Sequence, residues 1–367
     1  MLDTLLQFEQ PTPLVVATSC ALAVSLLLVL TKHQHGHLTM DSTIGVQKFH
    51  THPTPRIGGI GIYLGLLLAW AFVRNPGVKH IIGIVLLAGI PALAFGLLED
   101  VTKQVGVMPR LLATMASSVL AWLLTGVALN RLDVQGLDWL LTVTPIAVMF
   151  TAVAVSGVAN AINIIDGFHG LASGTTIIAL LALAAIATRV GDPELARACF
   201  IVAAAVVGFW LVNYPWGKIF LGDGGAYFVG FALAWLAVLL PMRNPGVSAW
   251  ASMLVCAYPV IEVLYSMGRR YINRESPGAP DSRHLHSLIK TNLIRKTLPG
   301  VNRGVQNAFV SPIIWAFTLL PATAAVALFD RPGLLVCVVA AVALVYHVAY
   351  QYLAQVGTHE SRVGQQA

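Results

Sequence analysis

The chain has 367 residues, of which 57% are hydrophobic and only 10% charged. A water-facing domain carries about a quarter charged residues, so this composition excludes an ordinary soluble protein and makes lipid the solvent for much of the surface. The formal net charge of +6 is scattered between apolar runs, which speaks for membrane topology and attraction to phosphates rather than for nucleic-acid binding.

In chain order, eleven apolar segments are predicted to span the membrane, at about 12–31, 57–73, 80–98, 109–129, 137–157, 170–188, 194–212, 219–240, 247–268, 309–329 and 333–353. Each approaches the roughly 20 residues that a helix needs to cross a bilayer. The expected fold is therefore an all-α polytopic membrane bundle of about 11 transmembrane helices, forming a single domain over 1–367. Asp3 and Glu9 precede the first run and Lys32 follows it. That order predicts a retained anchor with the N-terminus outside, and an odd span count then puts the C-terminus in the cytoplasm.

Charge counting agrees. The loops that follow the first span, with the C-terminal tail, hold fifteen Lys and Arg, and the opposite loops hold seven. The richer side is predicted to be cytoplasmic. Its loops lie at about 32–56, 99–108, 158–169, 213–218 and 269–308. The outside loops carry turn signals such as Arg74-Asn75-Pro76-Gly77, Gly191-Asp192-Pro193 and Arg243-Asn244-Pro245-Gly246. Cys20, Cys199, Cys256 and Cys337 all fall in apolar runs, with no metal or disulfide spacing.

Five inside segments carry the polar chemistry. Lys48 to Gly65 (KFHTHPTPRIGGIGIYLG) offers Lys48 and Arg56 to phosphate, and its Gly58-Gly59 pair permits a close backbone approach. Phe95 to Arg110 ends a span on Glu99-Asp100, adjacent carboxylates that are costly near lipid unless solvated, paired or metal-bound. Asn160 to Gly174 places Asn163 and Asp166 three apart, on one face if helical, ahead of His169. Gly217 to Gly230 sets Asp223 among Gly222, Gly224 and Gly225; an Asp there suits Mg²⁺ bridged to phosphates, while the glycines also suit helix packing. Ser276 to Ile289 gathers Arg283, His284 and His286, which suit a phosphate oxyanion. Glu262, inside the ninth apolar run, is a buried carboxylate of second rank.

Together and in this order, the five segments resemble the polyprenyl-phosphate N-acetylhexosamine-1-phosphate transferases. That bacterial family includes undecaprenyl-phosphate N-acetylglucosamine-1-phosphate transferase and, more distantly, phospho-N-acetylmuramoyl-pentapeptide transferase. The resemblance implies transfer of N-acetylhexosamine-1-phosphate from a UDP-sugar to polyprenyl (undecaprenyl) phosphate, with release of UMP. It also implies Mg²⁺, with Mn²⁺ as an alternative ion, and the bacterial inner membrane, with the site facing the cytoplasm. Such a step would start surface polysaccharide or cell-wall glycan synthesis; a homo-oligomer stays open.

Carried over residue by residue, Asp223 matches the metal-ligand Asp, while Glu99, Asp100 and Asp166 match acids of the catalytic centre. Asn163, His169, Phe220, Arg283, His284 and His286 match substrate-binding positions, Lys48 is a looser match for the basic residue of the first loop, and Arg56 joins the substrate-binding set as a phosphate contact. Three departures stand out: Glu99 for an Asp, Ser287 for a further histidine, and His169 for an Asp that faces the uracil edge. A carboxylate only accepts from base N–H groups, whereas neutral imidazole has one donor and one acceptor. The alternatives are a lipid-linked sugar transporter and a non-catalytic paralogue.

Overall fold

A computed structural model describes residues 11–41, 53–275, 281 and 283–363. Lys48 lies outside the described residues. The helices are α1 (Thr12–Leu30), α2 (Lys32–Thr39), α3 (Gly59–Phe72), α4 (Pro76–Ala88), α5 (Ile90–Thr102), α6 (Val107–Thr125), α7 (Leu137–Leu141), α8 (Thr144–Ile165) and α9 (Leu171–Arg189). They continue as α10 (Pro193–Asn213), α11 (Gly222–Arg243), α12 (Ala249–Val255), α13 (Ala257–Asn273), α14 (Leu285–Leu288), α15 (Arg295–Thr297), α16 (Arg303–Leu328) and α17 (Pro332–Val363). A π-helical stretch, Ile289–Ile294, joins α14 to α15. Two short strands, β1 (Met40–Asp41) and β2 (Thr54–Pro55), pair antiparallel.

Eight of these helices are long and apolar enough to cross a membrane: α1, α6, α8, α9, α10, α11, α16 and α17. Two bent pairs pass the same criterion, α4 with α5 at 41° and α12 with α13 at 79°. The chain is thus an all-α, multi-pass membrane protein. The segment predicted at 57–73 forms a helix of only 14 residues. At about 1.5 Å per residue that is ~21 Å, short of a ~30 Å hydrocarbon core. The break between α4 and α5 falls at Gly89, just before Pro91, whose ring offers no N–H to continue the ladder.

Helix edges shift the predicted loops. The run placed at 137–157 is the short α7 followed by α8, which starts at Thr144 with Pro145 in its first turn and runs on to Ile165. Asn163 therefore sits on a helix and Asp166 caps its end. Two predicted turns are helix starts. Asn75 accepts from Val78 N at 3.0 Å and Asp192 from Leu195 N at 3.1 Å, each followed by a proline whose missing N–H costs nothing there.

The core centres on α11, with 94% of its span window buried, against 22% for α1 and 17% for α17. Small residues let neighbours close on it, which in lipid is the main packing device. A Cβ on Gly59 of α3 would lie 2.2 Å from Gly225 Cα, so α3 and α11 meet backbone to backbone. At its far end α11 is pinned by Arg243, whose guanidinium donates to Asp192 at 2.7 and 3.0 Å and to Glu194 at 3.2 Å.

Burial raises the Asp192 carboxyl, but Arg243, the Leu195 N–H and Asn244 outweigh it and leave the group below its ordinary value. A depressed carboxylate contributes stability above its unfolded pKa, and loses it as pH falls through the folded one. Asp192→Asn is therefore expected to lower thermal stability at neutral pH by about 1 kcal/mol, with the difference shrinking below about pH 4. Melting curves of the two proteins in one detergent at pH 7 and pH 3.5 check this; an equal deficit at both would contradict it.

Candidate active site

The polar end of the bundle is built on the first turn of α11. The N–H groups that open a helix have no intrahelical acceptor. Here the Gly222 N–H lies near the Asp166 carboxylate, and Asp223 and Gly224 donate to the two oxygens of Asp100, each at 2.9 Å. The Asp100 carboxylate from α5 thus caps α11, with Asp166 close by, an arrangement the helix dipole favours. Gly222 has φ +74°, and a Cβ there would lie 1.9 Å from the Arg56 carbonyl and 2.6 Å from Asp100 Oδ2. Only glycine leaves room for this junction.

Asp223 is the hub of the charges. Arg56 Nη2 donates to its Oδ1 at 3.0 Å, Asn163 Nδ2 donates to the same oxygen at 3.1 Å, and Arg110 pairs with Oδ2. Arg56 Nε also lies 3.8 Å from Asp100 Oδ1. The Asp100 side chain is fully buried, whereas Arg56 is 26% exposed, so Arg56 marks the open side of the cluster. Three carboxylates face two guanidiniums, with the Lys103 ammonium beside Asp100 as a third cation. Burial pushes the Asp166 carboxyl up to about 7, with Arg56 and the Gly222 N–H pulling it back.

Glu99 behaves differently from its neighbour. Its Oε2 accepts from Val105 N at 2.7 Å and closes the turn between α5 and α6. His169 is buried, with Nδ1 2.9 Å from the Pro215 carbonyl. A carbonyl only accepts, so Nδ1 carries the proton. A Cβ on Gly217 would lie 2.2 Å from His169 Nε2, so the ring is wedged into the fold. Phe220 lies beside it, the rings 6.1 Å apart. Its main chain is tied to the first inside segment, donating to Pro55 O at 2.8 Å and accepting from Gly58 N at 3.0 Å.

The histidine segment forms a second cluster, on Glu262 of α13. His284 Nδ1 lies 3.0 Å from Glu262 Oε1, which also accepts from Leu285 N at 3.1 Å. His286 Nδ1 lies 3.7 Å from Oε2, and Tyr258 OH donates to that oxygen at 3.2 Å. The two imidazoles stack at 5.2 Å. Burial lowers the His286 ring, and Glu262 offsets this only in part. Asp281 accepts from Ser266 at 2.9 Å and pairs with Arg269. Burial raises Asp281, but the Arg283 N–H, His284, Ser266 and Arg269 hold it below its ordinary value. The Arg283 side chain is 58% exposed and reaches Glu275 at 3.5 Å, away from the imidazoles. The two clusters touch through Phe168, two residues after Asp166, whose ring meets His286 edge-on at 5.5 Å.

Of the residues singled out in the sequence, Arg56, Asp100, Asn163, Asp166 and Asp223 converge, and His284 and His286 form a neighbouring pair. Glu99, His169 and Arg283 serve local contacts. One partner, Arg110, was not in the predicted set, although it was visible as a cation just past Glu99-Asp100. Glu262, read as a carboxylate of second rank, is the anchor of the histidine pair.

The fold is that of a multi-pass membrane protein with a charged cluster gathered at the start of α11. The region of residues 82–241 matches the family described as glycosyl transferase family 4. It contains Asp100, Arg110, Asn163, Asp166, Phe220 and Asp223. The chain is 26% identical over 244 residues to the "Probable undecaprenyl-phosphate N-acetylglucosaminyl 1-phosphate transferase" of Bacillus subtilis, covering 66% of this chain and 67% of that protein. It is also 26% identical over 248 residues to the undecaprenyl-phosphate alpha-N-acetylglucosaminyl 1-phosphate transferases of Yersinia pestis and Escherichia coli, with the same coverage. The comparisons support the family read from the sequence motifs.

Proposed function

We propose that this protein transfers N-acetylhexosamine-1-phosphate from a UDP-sugar to undecaprenyl or another polyprenyl phosphate, on the cytoplasmic face of a bacterial inner membrane. An oxygen of the carrier phosphate forms a bond to the sugar-bearing phosphorus. The bond from that phosphorus to the nucleotide phosphate breaks, and UMP leaves with the electron pair. The observation that carries this reading is the meeting of Asp100, Asp166, Asp223, Arg56, Arg110 and Asn163 at one end of the bundle. There a lipid carrier and a water-soluble nucleotide can both arrive.

The donor set fits Mg²⁺. That ion takes hard oxygen ligands, usually one or two carboxylates, with water and substrate phosphate in the other positions. Asp223 supplies a carboxylate with Asp100 and Asp166 nearby, and among the described residues no three His, Cys, Asp or Glu side chains form a closed cage. Bound there, Mg²⁺ would offset the charge of the phosphates as they meet.

The chain's own residues do the rest. Arg56 and Arg110 stand where phosphate oxygens would exchange with the Asp223 carboxylate as partners. Asn163 fixes the Asp223 rotamer from α8. Asp100, with both oxygens taken by backbone N–H groups, acts first by holding α11 in place. The carrier phosphate is already an anion at neutral pH, so its attack does not need a strong base. His169, tied to Pro215, leaves uracil recognition to Phe220 and its surroundings.

The test is a panel of UDP-sugars with undecaprenyl phosphate and Mg²⁺, scored for UMP. Release that depends on both the carrier and one N-acetylhexosamine donor is expected. Movement of a sugar-lipid across vesicles without UMP would point to a transporter instead.

A further inference from the structure

We propose that Glu262 is a positioning residue for the site, setting the tautomer and orientation of both His284 and His286. The inference rests on the transferase reading above for its functional meaning, and on geometry for its content. Glu262 is fully buried in α13. A buried carboxylate is costly unless paired and hydrogen-bonded. Several partners converge on it: His284 Nδ1 and Leu285 N on one oxygen, Tyr258 OH on the other, with His286 Nδ1 at 3.7 Å and Tyr346 also beside the carboxylate.

The consequence follows from donor and acceptor inventories. A carboxylate only accepts, so His284, at 3.0 Å, holds a proton on Nδ1. His286 Nδ1 is flanked by Glu262 and by Tyr258 OH at 3.3 Å. That hydroxyl already donates to Glu262 at 3.2 Å, so its lone pair is what it offers the ring. With the hydroxyl donating to Glu262, both rings are assigned Nδ1–H, and each keeps Nε2 for another partner. For His284 the nearest group to Nε2 is Asp281 at 3.8 Å. A phosphate oxygen reaching either Nε2 would favour a second proton on that ring, taken from water, and Glu262 would balance the imidazolium. The Leu285 N–H bond matters too, because it ties the main chain between the two histidines to the same carboxylate.

Glu262→Gln tests this with little change of volume. An amide has one acceptor oxygen and a donor NH₂. The imidazole that faces NH₂ must present a lone pair at Nδ1, so one ring is expected to flip to the Nε2–H form. The measurement is ¹⁵N-histidine NMR of the full-length protein in nanodiscs, with His284→Gln and His286→Gln variants to assign the signals. Two Nδ1–H rings are expected in the unaltered protein. Finding either ring Nε2–H there overturns the proposal, even if Glu262→Gln fails to fold. An unchanged pair of tautomers in folded Glu262→Gln overturns it equally.

The kinetic readout is separate. The KM for UDP-N-acetylglucosamine, or for whichever donor the panel identifies, is expected to rise about tenfold or more in Glu262→Gln. A merely structural loss would lower the active fraction and leave KM unmoved, and that result would overturn the role in positioning. Absence of UMP release by the unaltered protein would defeat the transferase reading alone, since the tautomers are read without turnover.

Discussion

Asp223→Asn is expected to lower UMP release at saturating Mg²⁺ by about 10³-fold or more, equivalent to roughly 4 kcal/mol of transition-state stabilisation. The reason is that one carboxylate has several jobs. It accepts from Arg56 and Asn163 on one oxygen and pairs with Arg110 on the other, and it is the proposed metal ligand. The amide keeps the shape but offers a single acceptor oxygen and no charge, so one guanidinium loses its partner. Because Arg56 and Arg110 are partly buried, the variant is also expected to melt a few degrees lower. Activity within tenfold of the unaltered protein would remove Asp223 from the centre of the mechanism.

Gly222→Ala should be nearly as damaging, although it removes no functional group. The residue sits at φ +74°, where an L side chain costs about 1–2 kcal/mol. Its Cβ would also collide with the Arg56 carbonyl and approach Asp100 Oδ2. Either Arg56 or the cap on α11 must shift by about 1 Å, a displacement that can cost ~10² in rate. Gly126→Ala separates the two effects: Gly126 has φ +69° and nothing within 4 Å of a built Cβ. It should share the loss of stability and keep the activity. Equal activity losses in both variants would show that strain alone, not the junction with Arg56 and Asp100, is responsible.

Much of the polar end could be read in the sequence, because polar residues in an apolar chain have few structural excuses. Asp100, Asp166 and Asp223 stood out for that reason, and they do converge. What the sequence could not show is direction. Glu99 and Asp100 are adjacent, yet one closes a surface turn and the other caps a helix more than 120 residues away in the chain. Chain neighbours on a helix point about 100° apart, so a run of two acids rarely does one job. His169 looked like a substrate contact by position, but its packing depends on Pro215 and Gly217, 46 and 48 residues on. The glycines at 222, 224 and 225 carried two readings, ligand approach and helix packing; at Gly225 the backbone of α3 is the near neighbour. Spans were legible from composition, while their breaks at Gly89 and Cys256 were not, since an apolar run looks the same whether straight or bent.

One feature of the architecture joins the two faces of the protein. Helix α11 holds Asp223 at one end and Arg243 at the other, about 30 Å away at 1.5 Å per residue. Taken as a rigid rod, it would turn about the Asp192–Arg243 pair. A tilt of about 2° at that pivot sweeps the Asp223 end through about 1 Å, the scale on which catalytic alignment is lost. The dense seat around α11 and the ion pair at its far end thus bear on one alignment, and a change at the Arg243 end is expected to alter the aim of Asp223.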